Sequence, residues 1–455
     1  MLSEDNNSNN NKRHILILGG GFAGVEVLKN LQKKYNDDNK TEITLVSQNN
    51  FLLFTPMLPE IVSGTIESRH IVTPIRSFCK SAKFYEAEVK AVDFDKKQVV
   101  ITHQLGKCEK RPDYHHKSTV KMSGHDHVLS YDYLVIALGS EDNFFGNKNI
   151  EKNAFTLKTI NDAIVLRNHI IKTLEQAVLE QNDTKLRKAL LTFVVVGGGF
   201  SGVETVGAIN DFVRESVKKY YPSLYMSDVK VILVSATNKI LEQIDENLGR
   251  FALAELKNSG VEFIGNTKVK DVTKGGALLE NGDLIPSFSV VWAAGVTPNK
   301  LISNLKCEHD RKNRIIVNSF LEIKGYEDIV YALGDCSSIT NPHTGKPYPP
   351  TAQHAIRQSK VASTNIISSV RRQIKGQNLK EKKEFDYKTK GMMAEIGKRS
   401  GVAILFGKIK LHGFLAWWLW RLYYLSNLPT TKKKLKVMGD WTFDLIFKPD
   451  VSQIQ

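Results

Sequence analysis

Two glycine-rich phrases of nearly identical sequence occur far apart in this chain. Residues 18–27 read LGGGFAGVEV and residues 196–205 read VGGGFSGVET. Each phrase follows a short apolar run typical of a buried strand, and each opens a pattern of apolar residues with helical spacing. A Gly-x-Gly-x-x-Gly turn between a strand and a helix is typical of a dinucleotide site. The repeat therefore predicts an α/β chain with two Rossmann-like dinucleotide-binding domains.

The three glycines of each phrase have different tasks. The first permits a tight turn, the second lets the backbone approach a pyrophosphate, and the third lets the helix pack on its strand. Free N–H groups at the helix N-terminus then face the phosphates. The alternative is a pair of glycine-rich turns without a ligand, which the matching context of the two phrases disfavours. The binding residues assigned on this basis are Gly19, Gly21, Phe22 and Gly24 in the first phrase, and Gly197, Gly199 and Gly202 in the second.

The chain departs from the usual dinucleotide pattern at the end of the next strand. An acidic residue about 20 residues after the loop usually bonds the ribose hydroxyls. Ser47 occupies that position after the first phrase, and Ser235 occupies it after the second. A carboxylate would repel the 2′-phosphate of NADPH, whereas serine would not. We therefore expect a nicotinamide site that accepts NADPH as well as NADH.

The composition indicates a globular, basic protein. The chain has 455 residues, enough for two or three domains, and a formal net charge of +15. This excess favours an anionic partner such as a lipid surface, a nucleic acid or an acidic protein. The absence of Cys-x-x-Cys spacing among four cysteines argues against a disulfide framework and fits a reducing compartment. Residues 1–12 are polar, lack the apolar core of a secretory signal, and predict a disordered tail.

Strand-like runs that end on small residues indicate the domain organisation. One such run ends before Gly139, a second before Ala294 and Gly295, and a third before Gly334 and Asp335. This order predicts that one dinucleotide domain is inserted within the other. The predicted ranges are 1–12 for the tail, 13–155 and 298–389 for the two parts of the first domain, 156–297 for the inserted domain, and 390–455 for a C-terminal region.

The segment 103–128 interrupts the first domain with five histidines and Cys108. A metal site is one interpretation of this composition. The spacing is irregular, and no pair of ligands stands at helical spacing. A solvated hairpin insertion is therefore the favoured interpretation, and we predict no metal.

The C-terminal region has an aromatic and basic composition. Residues 411–428 read LHGFLAWWLWRLYYLSNL, and four lysines follow at 432–436. A transmembrane helix needs about 20 apolar residues, and this run is shorter and contains His412 and Arg421. Tryptophan and tyrosine favour headgroup depth. The pattern predicts an amphipathic helix in the membrane interface, with lysines toward anionic lipid; the alternative is a buried or dimer-forming helix.

With these motifs the chain resembles the type II NADH:quinone oxidoreductases, which are single-subunit alternative NADH dehydrogenases with a flavoprotein disulfide-reductase-like fold. The resemblance covers nearly the whole chain beyond the N-terminal tail. Besides the paired phrases it rests on FLLFTPMLP at 51–59, TLKT at 156–159, WAAG at 292–295, ALGD at 332–335, PPTAQHA at 349–355 and GFLAW at 413–417. The PPTAQHA run, combined with an aromatic and basic tail, is the most specific of these signals.

The resemblance implies a resident FAD at the first phrase and a nicotinamide dinucleotide at the second. Asp335 would bond the FAD ribitol, although a helix N-cap is an alternative role for this aspartate. Phe54 and Thr55 would lie near the flavin. Glu204, which follows the second phrase, would lie near flavin and nicotinamide to position the nicotinamide or relay a proton. A glutamate in the first turn of a helix also favours the macrodipole, so a structural role stays open.

The resemblance also places Gln353 at the flavin and the quinone headgroup. The family often has a second glutamine five positions after the alanine of this motif, where this chain has Arg357, and Gln358 follows it. Either residue could face the quinone. Arg357 would then polarise a quinone carbonyl, or it would simply lie on a solvated helix face.

The predicted reaction is hydride transfer from NAD(P)H to FAD, followed by electron transfer to a membrane quinone without ion pumping. A sulfide:quinone oxidoreductase is one alternative, but no cysteine lies between Cys108 and Cys307 where a redox cysteine would be required. A non-catalytic, flavin-binding redox sensor is another. We expect a peripheral protein on the cytoplasmic face of the cell membrane and, from family likeness, a homodimer. Nucleic-acid binding is disfavoured because the lysines stand beside tryptophans in an apolar tail.

Overall fold

The chain divides into two compact units. The computed structural model describes residues 12–103, 125–180, 182–375, 382–447 and 450–453. The first unit consists of Met1–Leu52, Pro74–Glu141 and Thr297–Lys388, and the second of Leu53–Thr73, Asp142–Val296 and Thr389–Gln455. The chain thus leaves the first unit and returns to it. The predicted disorder at 1–12 and most of the histidine-rich segment fall on residues 1–11 and 104–124, outside the described residues.

The described residues form helices of six to 24 residues. Their bounds are α1 (Phe22–Tyr35), α2 (Leu58–Ser63), α3 (Lys148–Asn153), α4 (Ile160–Leu179), α5 (Thr184–Leu190), α6 (Phe200–Tyr220), α7 (Glu246–Asn258), α8 (Ala352–Lys375), α9 (Phe414–Asn427) and α10 (Thr431–Ile446).

The strands are short and alternate with these helices. Their bounds are β1 (Arg13–Leu18), β2 (Thr41–Ser47), β3 (Phe51–Leu53), β4 (Val72–Pro74), β5 (Lys83–Glu86), β6 (Glu88–Asp93), β7 (Gln98–Thr102), β8 (Asp126–Ser130), β9 (Tyr133–Ile136), β10 (Ser140–Asp142), β11 (Thr192–Val196), β12 (Lys230–Val234), β13 (Val261–Ile264), β14 (Val269–Thr273), β15 (Gly276–Leu279), β16 (Leu284–Pro286), β17 (Ser289–Trp292), β18 (Val296–Pro298), β19 (Ile315–Ile316), β20 (Val330–Ala332), β21 (Ser337–Ser338), β22 (Gly391–Gly397), β23 (Ser400–Leu405) and β24 (Ile409–Gly413).

The first unit is built on a five-stranded parallel sheet in the order β20-β9-β1-β2-β5. The apolar run that precedes the first glycine phrase is its central strand, and its last four residues are almost fully buried. This burial explains the run, because a parallel strand covered on both faces needs apolar residues throughout. Leu18 at its end pairs with Val46 and Ile136, so three strands reach the same edge of the sheet.

The second unit repeats this arrangement with a four-stranded parallel sheet in the order β13-β12-β11-β17. Val196 at the end of β11 pairs with Val234 and Trp292. Each glycine phrase therefore follows the inner strand of a parallel sheet, flanked by the ends of two neighbours. This is the edge at which open α/β sheets bind ligands. The prediction of two Rossmann-like domains is confirmed.

The C-terminal part of the second unit is an antiparallel sheet, β22-β23-β24, followed by two helices. The apolar run at 411–428 begins in β24, and the helix α9 starts only after Gly413, whose φ is +67°. A second helix, α10, begins where the side chain of Thr430 accepts a hydrogen bond from the Lys433 backbone. In the described ranges, none of the helices has the length and apolar character needed to cross a membrane.

Candidate functional site

The first glycine loop, Gly19 to Gly24, combines two close approaches with one open side. Gly19 has a φ of +111°, and a Cβ there would lie 2.1 Å from the carbonyl oxygen of Ala137. A Cβ on Gly24 would lie 1.9 Å from the carbonyl oxygen of Gly19. Around Gly21, by contrast, no atom of the described residues beyond its immediate chain neighbours lies within 4 Å of such a Cβ. Packing therefore requires the two outer glycines, whereas Gly21 leaves space above the start of α1, as a pyrophosphate would need.

The second glycine loop, Gly197 to Gly202, has the same geometry. Gly197 has a φ of +123°, and its Cβ would lie 2.4 Å from the carbonyl oxygen of Ala293. A Cβ on Gly202 would lie 1.9 Å from the carbonyl oxygen of Gly197. Gly199 again has open space, with no atom of the described chain within 4 Å. The residues present thus fit one dinucleotide in each unit, and the open position precedes α1 in one case and α6 in the other.

The two serines at the strand ends pack against the glycine loops of their own units. A Cβ on Gly20 would lie 2.5 Å from Ser47 Oγ, and a Cβ on Gly198 would lie 2.8 Å from Ser235 Oγ. Ser47 Oγ accepts a 3.3 Å hydrogen bond from the Asn49 backbone. In the second unit, Ser235 Oγ accepts a 3.4 Å bond from Thr237. The residue at the end of each of these strands is consequently small and uncharged.

The turn that carries Asp335 is supported from two elements of the first unit, β10 and α8. Gly334 has a φ of +74°, and its backbone N–H donates to Gln358 Oε1 at 2.7 Å. Ser140 Oγ donates to Asp335 Oδ2 at 2.8 Å. Gln358 is buried on α8. The side chain of Gln358 therefore supports the Gly-Asp turn from inside, which gives it a structural task that the sequence did not predict.

Gln353 and Arg357 share an aromatic partner, Tyr387, on a segment 34 residues after Gln353. Tyr387 Oη donates to Gln353 Oε1 at 2.8 Å. The guanidinium of Arg357 lies 5.6 Å from the centre of the Tyr387 ring. The Tyr387 backbone N–H donates to Tyr348 Oη at 3.2 Å, which holds this segment against the loop before α8. The sequence predicted Gln353 and Arg357 but missed Tyr387, because only the folded chain brings Tyr387 to them.

The remaining predicted cofactor residues lie on turns of both units. Phe54 is buried and packs its ring edge-on against Tyr424 at a centroid distance of 5.9 Å, whereas Thr55 is exposed; both belong to the second unit. Gly295, next to Ala294, has a φ of +148° and accepts a 3.0 Å hydrogen bond from Asn143. Gly139 has a φ of +69°, and its carbonyl accepts from Asn299 at 3.3 Å. The positive φ angles explain why glycine occupies the ends of both runs.

Glu204 lies on α6 and lines a cavity of about 60 Å³ inside the second unit. Its Oε1 accepts hydrogen bonds from the indole N–H of Trp420 at 3.2 Å and from the backbone N–H of Glu395 at 3.3 Å. Burial raises the pKa of Glu204 to about 8, with a smaller contribution from the Glu395 carboxylate. Because α6 begins at Phe200, Glu204 lies beyond the first turn, and the macrodipole interpretation is wrong.

Two further carboxylates line the same cavity and accept indole N–H groups. Trp441 donates to Glu60 Oε1 at 2.8 Å, and Trp417 donates to Glu395 Oε1 at 2.7 Å. The Arg421 guanidinium lies 4.1 Å from the ring centre of Trp417, 4.8 Å from that of Trp441, and 3.6 Å from Glu60 Oε1. Burial raises the pKa of Glu395 to about 7 and that of Glu60 well above its usual value. The sequence showed the tryptophans but not their carboxylate partners.

The metal interpretation of 103–128 falls largely on residues outside the described ranges. Among the residues that are described, no group of three or more His, Cys, Asp or Glu side chains could hold a metal ion. The prediction of no metal stays a prediction.

Comparison with known proteins identifies the family. Residues 13–359 match the family described as pyridine nucleotide-disulphide oxidoreductase, and residues 389–450 match the NDH2 C-terminal domain. The chain is 35% identical over 440 residues to a probable NADH dehydrogenase of Dictyostelium discoideum, covering 96% of this chain and 90% of the relative. It is 30% identical over 438 residues to the type II NADH:quinone oxidoreductase of Mycobacterium tuberculosis, covering 94% and 87%.

A solved structure shows the same fold along the whole chain. The structure of NDH2 from Plasmodium falciparum in complex with NADH superimposes with a TM-score of 0.83 at 22% identity, covering 97% of this chain and all of that one. The match to the NDH2 C-terminal domain agrees with the two sequence relatives. The chain belongs to the type II NADH:quinone oxidoreductases, within the pyridine nucleotide-disulphide oxidoreductase fold.

Proposed function

We propose that this protein oxidises NADH and reduces a membrane quinone, with FAD bound in the first unit and the nicotinamide dinucleotide in the second. The balanced reaction is NADH + H⁺ + quinone → NAD⁺ + quinol. The observation that carries the proposal is the pair of glycine loops, each with one open glycine, Gly21 or Gly199, directly before a helix. Two loops of this geometry suit two dinucleotides that exchange electrons.

Bound FAD would supply an acceptor for the hydride of NADH and a donor of two electrons to the quinone. The chain's own residues hold and align the reactants. The backbone N–H groups at the start of α1 would hold the FAD pyrophosphate, and those at the start of α6 would hold that of NADH. Asp335, kept in place by Ser140 and by the turn that Gln358 supports, would accept a hydrogen bond from a hydroxyl of the FAD ribitol.

The quinone headgroup would meet Gln353 and Arg357. Tyr387 contacts both side chains, and Gln358 is occupied by Gly334. Of the two open alternatives, we therefore favour Arg357 at the quinone and Gln358 as a support of the flavin turn. An arginine is a permanent donor and would stabilise negative charge on a quinone oxygen during reduction.

Steady-state turnover tests the function. Purified protein mixed with NADH and a water-soluble quinone should oxidise many equivalents of NADH and should release FAD on denaturation. A redox sensor would oxidise a single equivalent and stop. Sulfide in place of NADH should leave the flavin oxidised, and a flavin reduced by sulfide but not by NADH would support the sulfide:quinone alternative instead.

Gln353→Ala tests the quinone end of the proposal separately. The variant should lose about tenfold in quinone reduction, because one hydrogen-bonding partner of the headgroup is removed. It should keep most of its activity with NADH and a soluble dye. Equal losses in both assays would contradict the assignment of Gln353. Lys360→Ala, an exposed position on the same helix, serves as the control variant.

A lipid surface is the proposed partner of the C-terminal helices. The helices α9 and α10 expose large apolar side chains, and lysines stand at the start of α10. The exposed apolar residues are Phe414, Leu415, Trp418, Leu422, Tyr423, Leu435, Met438, Phe443, Leu445 and Ile446. Exposed apolar residues beside cations are typical of interfacial helices that meet anionic lipid. We infer a peripheral membrane protein and retain the cytoplasmic face as its predicted side.

Cosedimentation with vesicles tests this surface. Binding should be strong to vesicles containing phosphatidylglycerol, weaker to phosphatidylcholine alone, and reduced by salt. Leu415→Glu combined with Leu422→Glu should abolish it. Light scattering of the detergent-solubilised protein checks the predicted homodimer, and a monomer at micromolar concentration would remove that prediction.

A further inference from the structure

Three tryptophans of the C-terminal helices each donate an indole N–H to a different carboxylate of the second unit. The pairs are Trp417 with Glu395 at 2.7 Å, Trp420 with Glu204 at 3.2 Å, and Trp441 with Glu60 at 2.8 Å. All three tryptophans are at most 7% exposed. Three repeats of one donor–acceptor pattern on three different elements, α2, α6 and β22, indicate a defined mode of docking rather than an isolated contact.

The helix α9 has two different faces. Trp420 is 1% exposed and packs edge-on against Tyr424 with a centroid distance of 4.6 Å. Trp418, two residues earlier, is 52% exposed and belongs to the proposed lipid surface. The same short helix thus presents apolar residues outward and an N–H donor inward, and the inward donor reaches the glutamate that follows the second glycine loop.

We propose that Trp420 is a positioning residue that fixes the orientation of the Glu204 carboxylate. The orientation of this carboxylate would then depend on the docking of α9. The inference rests on the proposed function and on the role near the nicotinamide that the family resemblance implies for Glu204. The indole N–H and the Glu395 backbone N–H converge on the same oxygen, Oε1, which leaves the carboxylate one supported orientation. A helix at the proposed lipid surface would in this way be coupled to the nicotinamide-binding helix α6.

The electrostatic surroundings of Glu204 determine in which direction its pKa moves when the indole donor is lost. Burial raises the pKa of Glu204, whereas the two hydrogen bonds stabilise its charged form and oppose that rise. The titratable and charged groups around the cavity come from every neighbouring element: Glu60 of α2, Asp211 and Glu215 of α6, Glu395 of β22, Lys398 and Arg399 of the following turn, Arg421 and Tyr424 of α9, and Asp444 of α10. Loss of the indole donor therefore raises the pKa of Glu204 further.

The experiment compares pH profiles of Trp420→Phe and Tyr220→Phe. Phenylalanine keeps an aromatic ring at both positions and removes one polar group, the buried indole N–H of Trp420 or the hydroxyl of Tyr220, which is 41% exposed at the end of α6. Initial rates with NADH and a water-soluble quinone, taken from pH 5.5 to 9.5, should show that W420F moves the limb of the pH–rate profile due to Glu204 upward by about one pH unit. Y220F should match the wild type. This direction holds whichever protonation state of Glu204 is the active one.

Glu204→Gln tests the role of Glu204 separately from the positioning role of Trp420. If E204Q removes the limb and W420F does not shift it, Trp420 has no positioning role and the inference is overturned. If E204Q retains the wild-type profile, the proposed role of Glu204 itself is wrong. An equal shift in W420F and Y220F also overturns the inference, because the effect would not be specific to the buried donor. Should W420F fail to retain flavin, Trp420→Tyr replaces it, with the Glu204 carboxylate titrated directly by infrared difference spectroscopy.

Discussion

Glu26 and Glu204 occupy the same position of the repeated glycine phrase but have different surroundings. Glu26 of the first unit forms a 3.1 Å ion pair with Lys29 on the partly exposed side of α1. Glu204 of the second unit faces an internal cavity and accepts N–H groups from Trp420 and Glu395. The two loops have the same geometry, so the difference arises only from what packs against the helix that follows. A repeated phrase therefore predicts repeated backbone, not repeated side-chain function.

Valine at the open glycine of each loop should give the largest effects. The two variants should distinguish FAD binding by the first unit from NADH binding by the second. Gly21 and Gly199 have φ angles of −80° and −77°, which any residue adopts, so both variants should fold. Gly21→Val should abolish retention of FAD. Gly199→Val should keep FAD but lose about 100-fold in kcat/KM for NADH, because the side chain occupies the space of the pyrophosphate. Flavin absorbance and NADH kinetics measure the two outcomes, and loss of FAD in both variants would contradict the assignment of the loops.

Replacing each of the two equivalent glutamates by glutamine should affect kcat much more at Glu204 than at Glu26. Glu204→Gln should lower kcat roughly 30-fold if this carboxylate positions the nicotinamide or relays a proton. Glu26→Gln should change kcat less than twofold, because its partner is an exposed lysine. Both variants are measured with NADH and a soluble quinone at pH 7. Similar losses in the two variants would indicate that both glutamates act only through their helices.

The second unit should lose stability as the pH rises. The raised pKa values of Glu204, about 8, and Glu395, about 7, mean that the folded state favours the protonated carboxylates. Their contribution is complete below the ordinary value of 4.5 and is lost as the pH passes through 7 to 8. At about 1.4 kcal/mol per pH unit for each carboxylate, these values set an upper limit of about 5 kcal/mol on the loss between pH 5.5 and 8.5.

Tryptophan fluorescence during thermal unfolding measures this change, because all five tryptophans belong to the second unit. Glu395→Gln cannot ionise yet still accepts from Trp417, so it should flatten the pH dependence. A wild-type midpoint that rises from pH 5.5 to 8.5 would contradict the expected sign.

The serines at the strand ends should give the smallest effect and should again distinguish the units. Ser235→Glu should raise the preference for NADH over NADPH about fivefold, because the new carboxylate repels the 2′-phosphate and bonds the ribose hydroxyls. Ser47→Glu, at the equivalent position of the first unit, should leave this ratio unchanged. The ratio of kcat/KM values for the two coenzymes measures the effect. Strict NADH specificity of the wild type would remove the expectation of dual use.

Most of the fold could be predicted from the sequence, and the candidate site only in part. The strands, the inserted order of the two domains and the glycine loops follow from local patterns, because apolar runs and glycine spacing directly reflect backbone geometry. The single helix predicted for 411–428 begins only at Phe414, since β24 uses the first residues of that run. The segment Leu53–Thr73, within the range predicted for the first domain, groups by its contacts with the second unit.

The sequence by itself determined where two dinucleotides can bind, because each turn needs glycine at positions a few residues apart and the backbone there depends on local geometry. The tertiary structure alone decided which polar side chains meet. Glu204 and Trp420 are 216 positions apart, and Gln353 and Tyr387 are 34 apart. Gln358 supports Gly334 because α8 returns to the first sheet. Such contacts depend on the packing of distant elements, which no local pattern of residues records.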